Sequence, residues 1–314
     1  MELFAIDDNP VPTGGAVGSV TTADGVTLRF ASWPAEGNRT HGTVAVLPGR
    51  GEAIEKYFET IGDLRRRGFA VAALDWRGQG GSERRLRNPA KAHVDSFAEY
   101  DRDLEAFTQQ VLLPDCPAPY FALAHSTGGL VALRAARDGR ARFTRMVVLA
   151  PLVDFGPTRP PQPVASNIAT LMTALGLGDV SAPGQAAETI QVLSFAGNKL
   201  TGDRARFELS KRLALALPDV FVRGPTFGWL YAAFRAVREL SGPPWQSSFH
   251  VPVLMVVGAL DRVVSVAAIE RLAAKIRGAG VIVIPGGQHE LLLERNIIRE
   301  QVFAAIDAFI PGAN

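Results

Sequence analysis

The chain of 314 residues lacks several features that would assign it to a specialised class of protein. Its single cysteine, Cys116, cannot form an internal disulfide, and zinc sites built on a Cys-x-x-Cys pair are excluded. Residues 1–15 contain no basic segment followed by an apolar one, so we expect no cleaved secretion signal. No uninterrupted apolar run approaches the roughly 20 residues that cross a bilayer. We therefore expect a reducing, cytoplasmic compartment.

The chain also has little net charge of either sign. Its 33 Lys and Arg residues against 31 Asp and Glu residues give a formal net charge of +2. This balance excludes a dedicated nucleic-acid binder, which carries a strongly basic surface. A pI of about 8.8 allows transient contact with a membrane surface and no strong attraction to it. The composition is 47% hydrophobic, which is typical of a globular protein with a large core.

Buried-type strands and amphipathic helices alternate over most of the sequence. Residues 18–22 and 26–31 flank a turn and predict an antiparallel hairpin at a sheet edge. Further strands are predicted at residues 43–47, 69–74, 120–124, 145–150, 253–258 and 281–284. Helices are predicted at residues 54–67, 97–113, 265–276 and 290–310, and directly after Ser126. This alternation predicts an α/β fold with a mostly parallel, doubly wound sheet.

The alternation breaks between residues 151 and 244. This stretch predicts helical pieces at residues 166–175, 203–217 and 227–240, separated by Pro and Gly, and no buried strand. We interpret residues 156–244 as a helical cap inserted over the active edge of the sheet. Residues 1–155 and 245–314 then form the core.

The stretch from Pro119 to Gly129 predicts a strand that turns sharply into a helix, with Ser126 at the turn. Ala124 and Gly128, two residues before and two after the serine, are small enough for the backbone to turn without a clash. The pattern resembles the nucleophile elbow of α/β-hydrolases, with an alanine in place of the first glycine of G-x-S-x-G. It predicts a nucleophilic serine at the carboxyl edge of the sheet.

Two further side chains follow late strands and can complete a catalytic triad with Ser126. His289 comes directly after the last predicted strand, where a general base is needed, and Asp261 follows the strand before it. The order Ser, Asp, His is the one found in α/β-hydrolases. Asp154, after the preceding strand, remains an alternative acid. His125 is next to the serine, and we expect it to point elsewhere.

An oxyanion formed at Ser126 needs two backbone N–H donors. We predict one donor from Thr127, the residue after the nucleophile, and one from Arg50, in the glycine-rich loop after the third strand. At Arg50 the backbone rather than the guanidinium is expected to act. No Lys-Ser or Lys-Thr follows these glycines, which argues against a phosphate loop. Acyl transfer by these residues requires no metal or organic cofactor.

Residues 43–310 resemble the lysophospholipase and monoacylglycerol-lipase group of α/β-hydrolases. The matching motifs are LPGRGE at 47–52, DWRGQGGS at 75–82, AHSTGG at 124–129, GALD at 258–261 and GGQHE at 286–290. Two motifs of the predicted cap, LTGD at 200–203 and GPTFGW at 224–229, resemble the bacterial lysophospholipase branch. Pro48 stands where this group usually has a histidine, and Ala53 and Ile54 stand where a second histidine is common.

The resemblance implies a serine hydrolase that cleaves carboxylic esters of monoacyl lipids, either lysophospholipid or monoacylglycerol, through an acyl-enzyme on Ser126. A short-chain carboxylesterase, a thioesterase, a perhydrolase and a non-catalytic ligand binder on the same fold remain alternatives. The cap would supply the acyl pocket, although simple packing onto the core is the alternative for each of its apolar side chains. The predicted pocket residues lie on one helix: Phe227, Trp229, Leu230, Tyr231 and Phe234.

Overall fold

An eight-stranded sheet organises the chain in the computed structural model, which describes residues 1–37, 40–183, 190, 193–242 and 249–311. The strand order is β1-β2-β4-β3-β5-β6-β7-β8. The β1–β2 and β2–β4 pairs are antiparallel, and the other pairs are parallel. The strands are β1 (Ala16–Thr21), β2 (Thr27–Trp33), β3 (Thr43–Leu47), β4 (Ala70–Leu74), β5 (Tyr120–His125), β6 (Arg145–Leu149), β7 (Val253–Gly258) and β8 (Ala279–Ile284).

Helices cover both faces of this sheet. The helices are α1 (Phe58–Arg66), α2 (Phe97–Phe107), α3 (Leu113–Asp115), α4 (Thr127–Arg137), α5 (Gln162–Ala174), α6 (Arg204–Ala216), α7 (Phe227–Ser241), α8 (Val266–Ala273) and α9 (Asn296–Phe309). Apolar side chains of α1 and α9 share one core cluster, and those of α2, α4 and α8 share the other. The predicted fold class, an α/β fold with a mostly parallel sheet and helices on both faces, is confirmed.

Side-chain alternation along a central strand explains why two cores form. β3 is buried along its whole length. Val44 and Val46 face the α1/α9 cluster, whereas Ala45 and Leu47 face the α2/α4/α8 cluster. Successive side chains of a strand point to opposite faces, so an entirely apolar strand can fill both cores.

The predicted helix at residues 290–310 is wrong in its first turn. A short 3-10 helix, Leu291–Leu293, comes first, and α9 begins only at Asn296. Between them, the buried carboxylate of Glu294 accepts hydrogen bonds from the backbone N–H groups of Gln288 and Gly202, both at 3.0 Å. The chain leaves the helical path because this carboxylate anchors the loop that precedes it. The apolar spacing of the segment does not reveal that anchor.

The insertion between β6 and β7 is helical where the structure describes it, with α5, α6 and α7. Within that part, β structure is limited to isolated bridges, such as the one between Ser181 and Thr226. α7 packs against α2 and α4 and shares their core cluster. Two polar contacts strengthen this packing. Trp229 Nε1 donates to the Tyr100 hydroxyl at 3.1 Å, and Arg134 pairs with Glu239 at 2.7 Å.

Within the described residues, the helices are too short or too polar to cross a membrane.

Candidate active site

Ser126 occupies a strained backbone position between β5 and α4. Its φ of 50° and ψ of −111° lie in a region that residues with a side chain rarely adopt. Neighbouring loops hold this conformation. The Ser126 N–H donates to the carbonyl of Leu149 at 3.0 Å, and its carbonyl accepts from the N–H of Leu152 at 3.0 Å. The turn therefore presents the hydroxyl at the carboxyl edge of the sheet.

Gly128 allows the start of α4 to pack directly against the loop after β3. A Cβ atom at this position would lie 2.3 Å from the carbonyl oxygen of Leu47 and 2.5 Å from that of Pro48. Both obstacles are backbone atoms, which cannot move aside as a flexible side chain could. Ala124, where the elbow pattern has its first glycine, is fully buried in the core cluster, so its methyl group is accommodated.

Asp261 and His289 lie within hydrogen-bond reach of the serine system. His289 Nε2 is 3.1 Å from Ser126 Oγ, and His289 Nδ1 is 2.8 Å from Asp261 Oδ2. All three residues are buried. Asp154, the alternative acid, instead accepts the backbone N–H of Phe155 at 2.9 Å. The arrangement gives the serine an imidazole base, and gives the imidazole a carboxylate that fixes its tautomer.

The environment of Asp261 favours its ionised form. Burial alone would raise the pKa of this carboxyl, but the imidazole of His289 and the N–H groups of Val263 and Val264 outweigh burial and lower the pKa. Those two N–H groups donate to Oδ1 at 2.7 and 3.0 Å. One carboxylate oxygen is thus held by the backbone, while the other faces the histidine.

Arg50 lies in a loop whose backbone is fixed on both sides of it. The N–H of Gly49 donates to the carboxylate of Glu52, and the N–H of Gly51 donates to Gln79 Oε1 at 3.1 Å. Thr127 is the first residue of α4, and the first N–H groups of a helix have no partner within the helix. The two predicted oxyanion donors therefore belong to a fixed loop and to a helix N-terminus.

Sequence reasoning missed Glu52 as a member of this site. Its buried carboxylate accepts hydrogen bonds from Gly49, from the Tyr57 hydroxyl at 2.6 Å and from Lys56 Nζ at 2.9 Å, and it contacts His125 Nδ1 at 3.0 Å. Burial would raise the pKa of Glu52, but His125 and Lys56 hold the pKa well below its usual value. The sequence did contain one indication of this role, since Glu52 is the last residue of the motif LPGRGE.

His125 connects this carboxylate to the loop of His289. As predicted, it points away from the serine. Its Nε2 lies 3.1 Å from the backbone carbonyl of His289, and its Nδ1 faces Glu52. Burial would lower the pKa of His125, but the negative charge of Glu52 raises it. One imidazole thus links the Arg50 loop to the His289 loop.

A cavity of about 350 Å³ lies beside the Arg50 loop. Its apolar wall includes Leu200, Phe221 and Val222 from the insertion and Val263, two residues after Asp261, from the core. None of the five predicted pocket residues of α7 lines this cavity. Trp229 packs with Tyr100 in the core, Phe234 stacks on Phe155 with ring centroids 4.6 Å apart, and Phe227 packs beside Ala169. Their contact with an acyl chain stays a prediction.

Across the described ranges, no group of three or more His, Cys, Asp or Glu side chains could hold a metal ion.

Comparison with known proteins adds relatives at the level of sequence. Residues 38–296 match the Hydrolase_4 family, described as serine aminopeptidase, S33. Lysophospholipase L2 of Escherichia coli K12 is 30% identical over 311 residues, covering 94% of this chain and 87% of that protein. Probable lysophospholipase L2 of Haemophilus influenzae is 28% identical over 265 residues, covering 84% and 82%.

Among solved structures, a soluble variant of monoglyceride lipase from Saccharomyces cerevisiae, in complex with a substrate analogue, is similar to the chain. The TM-score is 0.76, with 19% sequence identity, over 96% of this chain and 98% of the yeast protein. At this identity, the likeness shows the fold alone.

Proposed function

The chain belongs to the Hydrolase_4 family of α/β-hydrolases and is a carboxylic-ester hydrolase of the lysophospholipase and monoacylglycerol-lipase group. From this premise, we propose that it cleaves monoacyl lipids through an acyl-enzyme on Ser126. The observation that carries the proposal is the chain of contacts from Ser126 Oγ through His289 to Asp261, at 3.1 and 2.8 Å. The strained turn at Ser126 supports it, because such strain is retained chiefly at functional positions.

In the proposed mechanism, Ser126 Oγ attacks the ester carbonyl while His289 Nε2 takes its proton. Asp261 accepts the N–H of His289 Nδ1 and stabilises the imidazolium that forms. The backbone N–H groups of Arg50 and Thr127 donate to the oxyanion. His289 then protonates the leaving alcohol. Water, deprotonated by the same histidine, attacks the acyl-enzyme and releases the fatty acid.

Two features support monoacyl lipids as the substrate class. The relatives that align over most of the chain are named lysophospholipases. The cavity beside the Arg50 loop combines apolar and polar wall residues, and its volume of about 350 Å³ is within the range of small-ligand sites. We assign residues 156–244 as a cap, because α6 and the segment after it supply part of that wall.

A stripe on α5 supports transient contact with a lipid surface. Four apolar side chains at helical spacing, Val164, Ile168, Leu171 and Leu175, are 41–63% exposed. An exposed apolar stripe on a helix is typical of surfaces that rest on a membrane interface. The contact would bring the insertion, and with it the cavity, close to lipid substrates.

The proposal is tested by comparing the wild type with Ser126→Ala on p-nitrophenyl esters of increasing chain length, on lysophospholipid and on monoacylglycerol. We expect hydrolysis of long-chain esters and of at least one lipid, with activity lost in the variant. Activity that survives the substitution would refute the acyl-enzyme. A profile that peaks at acetate without lipid turnover would favour a short-chain esterase. Absence of labelling by a fluorophosphonate would favour a non-catalytic binder.

A further inference from the structure

The guanidinium of Arg50, a partly buried side chain, has an unusual set of partners. It donates through Nη1 to the backbone carbonyl of Arg223 at 2.7 Å and lies over the ring of Trp229, 5.4 Å from its centroid. Throughout the described part of the chain, no carboxylate pairs with it within 4.0 Å. By contrast, the buried Arg29 and Arg77 each contact at least two carboxylates. Among the described residues, Arg50 is therefore a cation without a carboxylate partner.

Such an arrangement is costly. A charged group that leaves water without a partner of opposite sign loses hydration that nothing replaces. Burial lowers the pKa of Arg50 to about 10, and the opposing influence of the Tyr100 hydroxyl and the Glu52 carboxylate is too weak to restore it. The side chain still carries its proton at neutral pH. Its charge is thus available to an anion that arrives from solution.

The cavity beside the Arg50 loop would receive such an anion. Arg50 and Arg223 both contribute to its wall, and Arg223 is exposed. Two carboxylates also line the cavity, but Lys56 contacts both of them, Glu52 at 2.9 Å and Glu290 at 2.6 Å. The basic side chains among the described wall residues, with Lys199 included, therefore outnumber these two carboxylates, and this part of the wall carries net positive charge.

Backbone hydrogen bonds hold the wall in place before any ligand binds. The N–H of Arg223 donates to the carbonyl of Ala90 at 2.8 Å, and the N–H of Gly80 donates to the carbonyl of Val220 at 3.0 Å. On the other side, the N–H of Glu290 donates to the carbonyl of Leu200 at 2.8 Å. The insertion is thus tied to core loops on both sides of the cavity, which reduces the ordering cost of binding.

We propose that the Arg50 guanidinium is the subsite for the phosphate of a monoacyl glycerophospholipid, so that the enzyme prefers lysophospholipid to neutral monoacylglycerol. This inference rests on the proposed function, because the ester of the same molecule must reach Ser126. Arg50 would offer its backbone N–H to the oxyanion and its side chain to the phosphate. The arginine side chain is comparable in length to the glycerol unit that joins these two groups in the lipid. A guanidinium also matches phosphate geometry with two parallel hydrogen bonds.

The test compares the kcat/KM for 1-acyl lysophosphatidylglycerol with that for 1-monoacylglycerol of the same chain length. The enzymes are the wild type, Arg50→Gln, Arg50→Lys and the control Arg235→Gln. Arg235 is a half-exposed arginine of α7 that pairs with Glu239 at 3.3 Å. We expect the ratio to fall about tenfold to hundredfold in Arg50→Gln, less in Arg50→Lys, and not in the control. The same ratio in Arg50→Gln as in the wild type would overturn the proposal.

A second measurement separates this inference from the proposed function. sn-Glycerol 3-phosphate should inhibit wild-type hydrolysis of a short p-nitrophenyl ester competitively, glycerol should not, and Arg50→Gln should weaken the inhibition about tenfold or more. Inhibition that is equally strong in the variant would refute the phosphate subsite. Inorganic phosphate tests whether the anion alone suffices. If the wild type cleaves neither lipid, the proposed function fails, and the inhibition experiment still decides whether Arg50 binds phosphate.

Discussion

At the scale of single residues, the active site depends on which carboxylate holds His289. Asp261 faces Nδ1 at 2.8 Å, while Asp154 caps the backbone of its own loop. We predict that Asp261→Asn lowers kcat by about three to four orders of magnitude, because an amide favours the wrong tautomer of the histidine. Asp154→Asn is the matched control and should change kcat by less than about threefold. A larger loss in the control than in Asp261→Asn, measured on a p-nitrophenyl ester, would reverse the assignment.

The buried Glu52 network should make stability depend on pH. The lowered pKa of Glu52 contributes stability that is complete above its usual value of 4.5 and is lost as the pH falls through the lowered pKa. The raised pKa of His125 contributes stability that is complete below 6.5 and is lost as the pH rises through the raised pKa. Both contributions are therefore complete between pH 4.5 and 6.5.

We predict that Glu52→Gln destabilises the protein most in that window, by about 3–5 kcal/mol, because it leaves the buried His125 without its counter-charge and Lys56 with Glu290 alone. The penalty should shrink on both sides of the window. Urea denaturation of the wild type and the variant across pH gives the difference in free energy of unfolding. A difference that does not vary with pH would contradict the coupling.

The convergence of Ser126, Asp261 and His289 could be predicted from sequence because it follows from strand order, whereas their catalytic roles stay a proposal. Parallel strands bring their carboxyl ends to one edge, so a residue after each strand is placed without knowledge of side-chain contacts. The contact between Glu52 and His125 could not be predicted in this way. These residues are 73 positions apart, and their contact depends on how the loop after β3 folds over the elbow. The same limit applies to Arg50, which has no carboxylate partner among the described residues.

At the scale of elements, the start of α4 and the loop after β3 act as one unit. We predict that Gly128→Ala lowers kcat at least about 100-fold, because the new methyl group displaces the Leu47–Pro48 backbone and with it the Arg50 N–H. Gly62→Ala in α1 is the matched control. Its Cβ would meet only the flexible end of Arg66, at 3.2 Å, so the substitution should keep activity and stabilise the helix by about 0.5–1 kcal/mol. Equal kinetics for the two variants would refute the coupling of loop and helix.

The stripe on α5 allows a test of lipid contact that leaves the chemistry unchanged. We predict that Leu171→Ser combined with Leu175→Ser weakens sedimentation with anionic phospholipid vesicles, because both side chains are about 60% exposed and available to the interface. Hydrolysis of a soluble short-chain ester should stay at the wild-type rate. Leu215→Ser on α6, where the leucine is 58% exposed, is the control and should bind vesicles as the wild type does. Vesicle binding that is unaffected by the double substitution would remove α5 from the contact.

Element types were predictable where the sequence pattern was strong. The predicted bounds of β3 and β7 match the structure, because each is an apolar run flanked by polar or turn residues. Helix ends were less predictable. The helix expected from residue 54 begins as a 3-10 turn, Ile54–Tyr57, in which the Ile54 N–H donates to the buried Asp75 at 3.0 Å. A distant acceptor fixes that turn, and apolar periodicity carries no information about it.

At the scale of the whole molecule, the insertion is not uniform in its attachment. α5 exposes an apolar stripe, whereas α7 buries Trp229, Ala232 and Ala233 in the same cluster as α2 and α4. The cap boundary predicted at residue 244 lies outside the described residues and stays a prediction. Packing joins α7 to the core, because its small alanine side chains allow close approach and Trp229 fills the space beside Tyr100.

We predict that α7 unfolds together with the core, while α5 opens independently. Native-state hydrogen exchange should give α7 amides protection close to that of α4, with α5 amides exchanging faster, because an element opens alone only when few buried contacts hold it. Trp229→Ala should lower the global free energy of unfolding by about 3–5 kcal/mol. Ile168→Ala on α5 should lower it by much less, since that side chain is 41% exposed. If α7 and α5 instead exchanged together, well before α4, the insertion would be one mobile unit, and the wall that Arg223 contributes to the cavity would move with it.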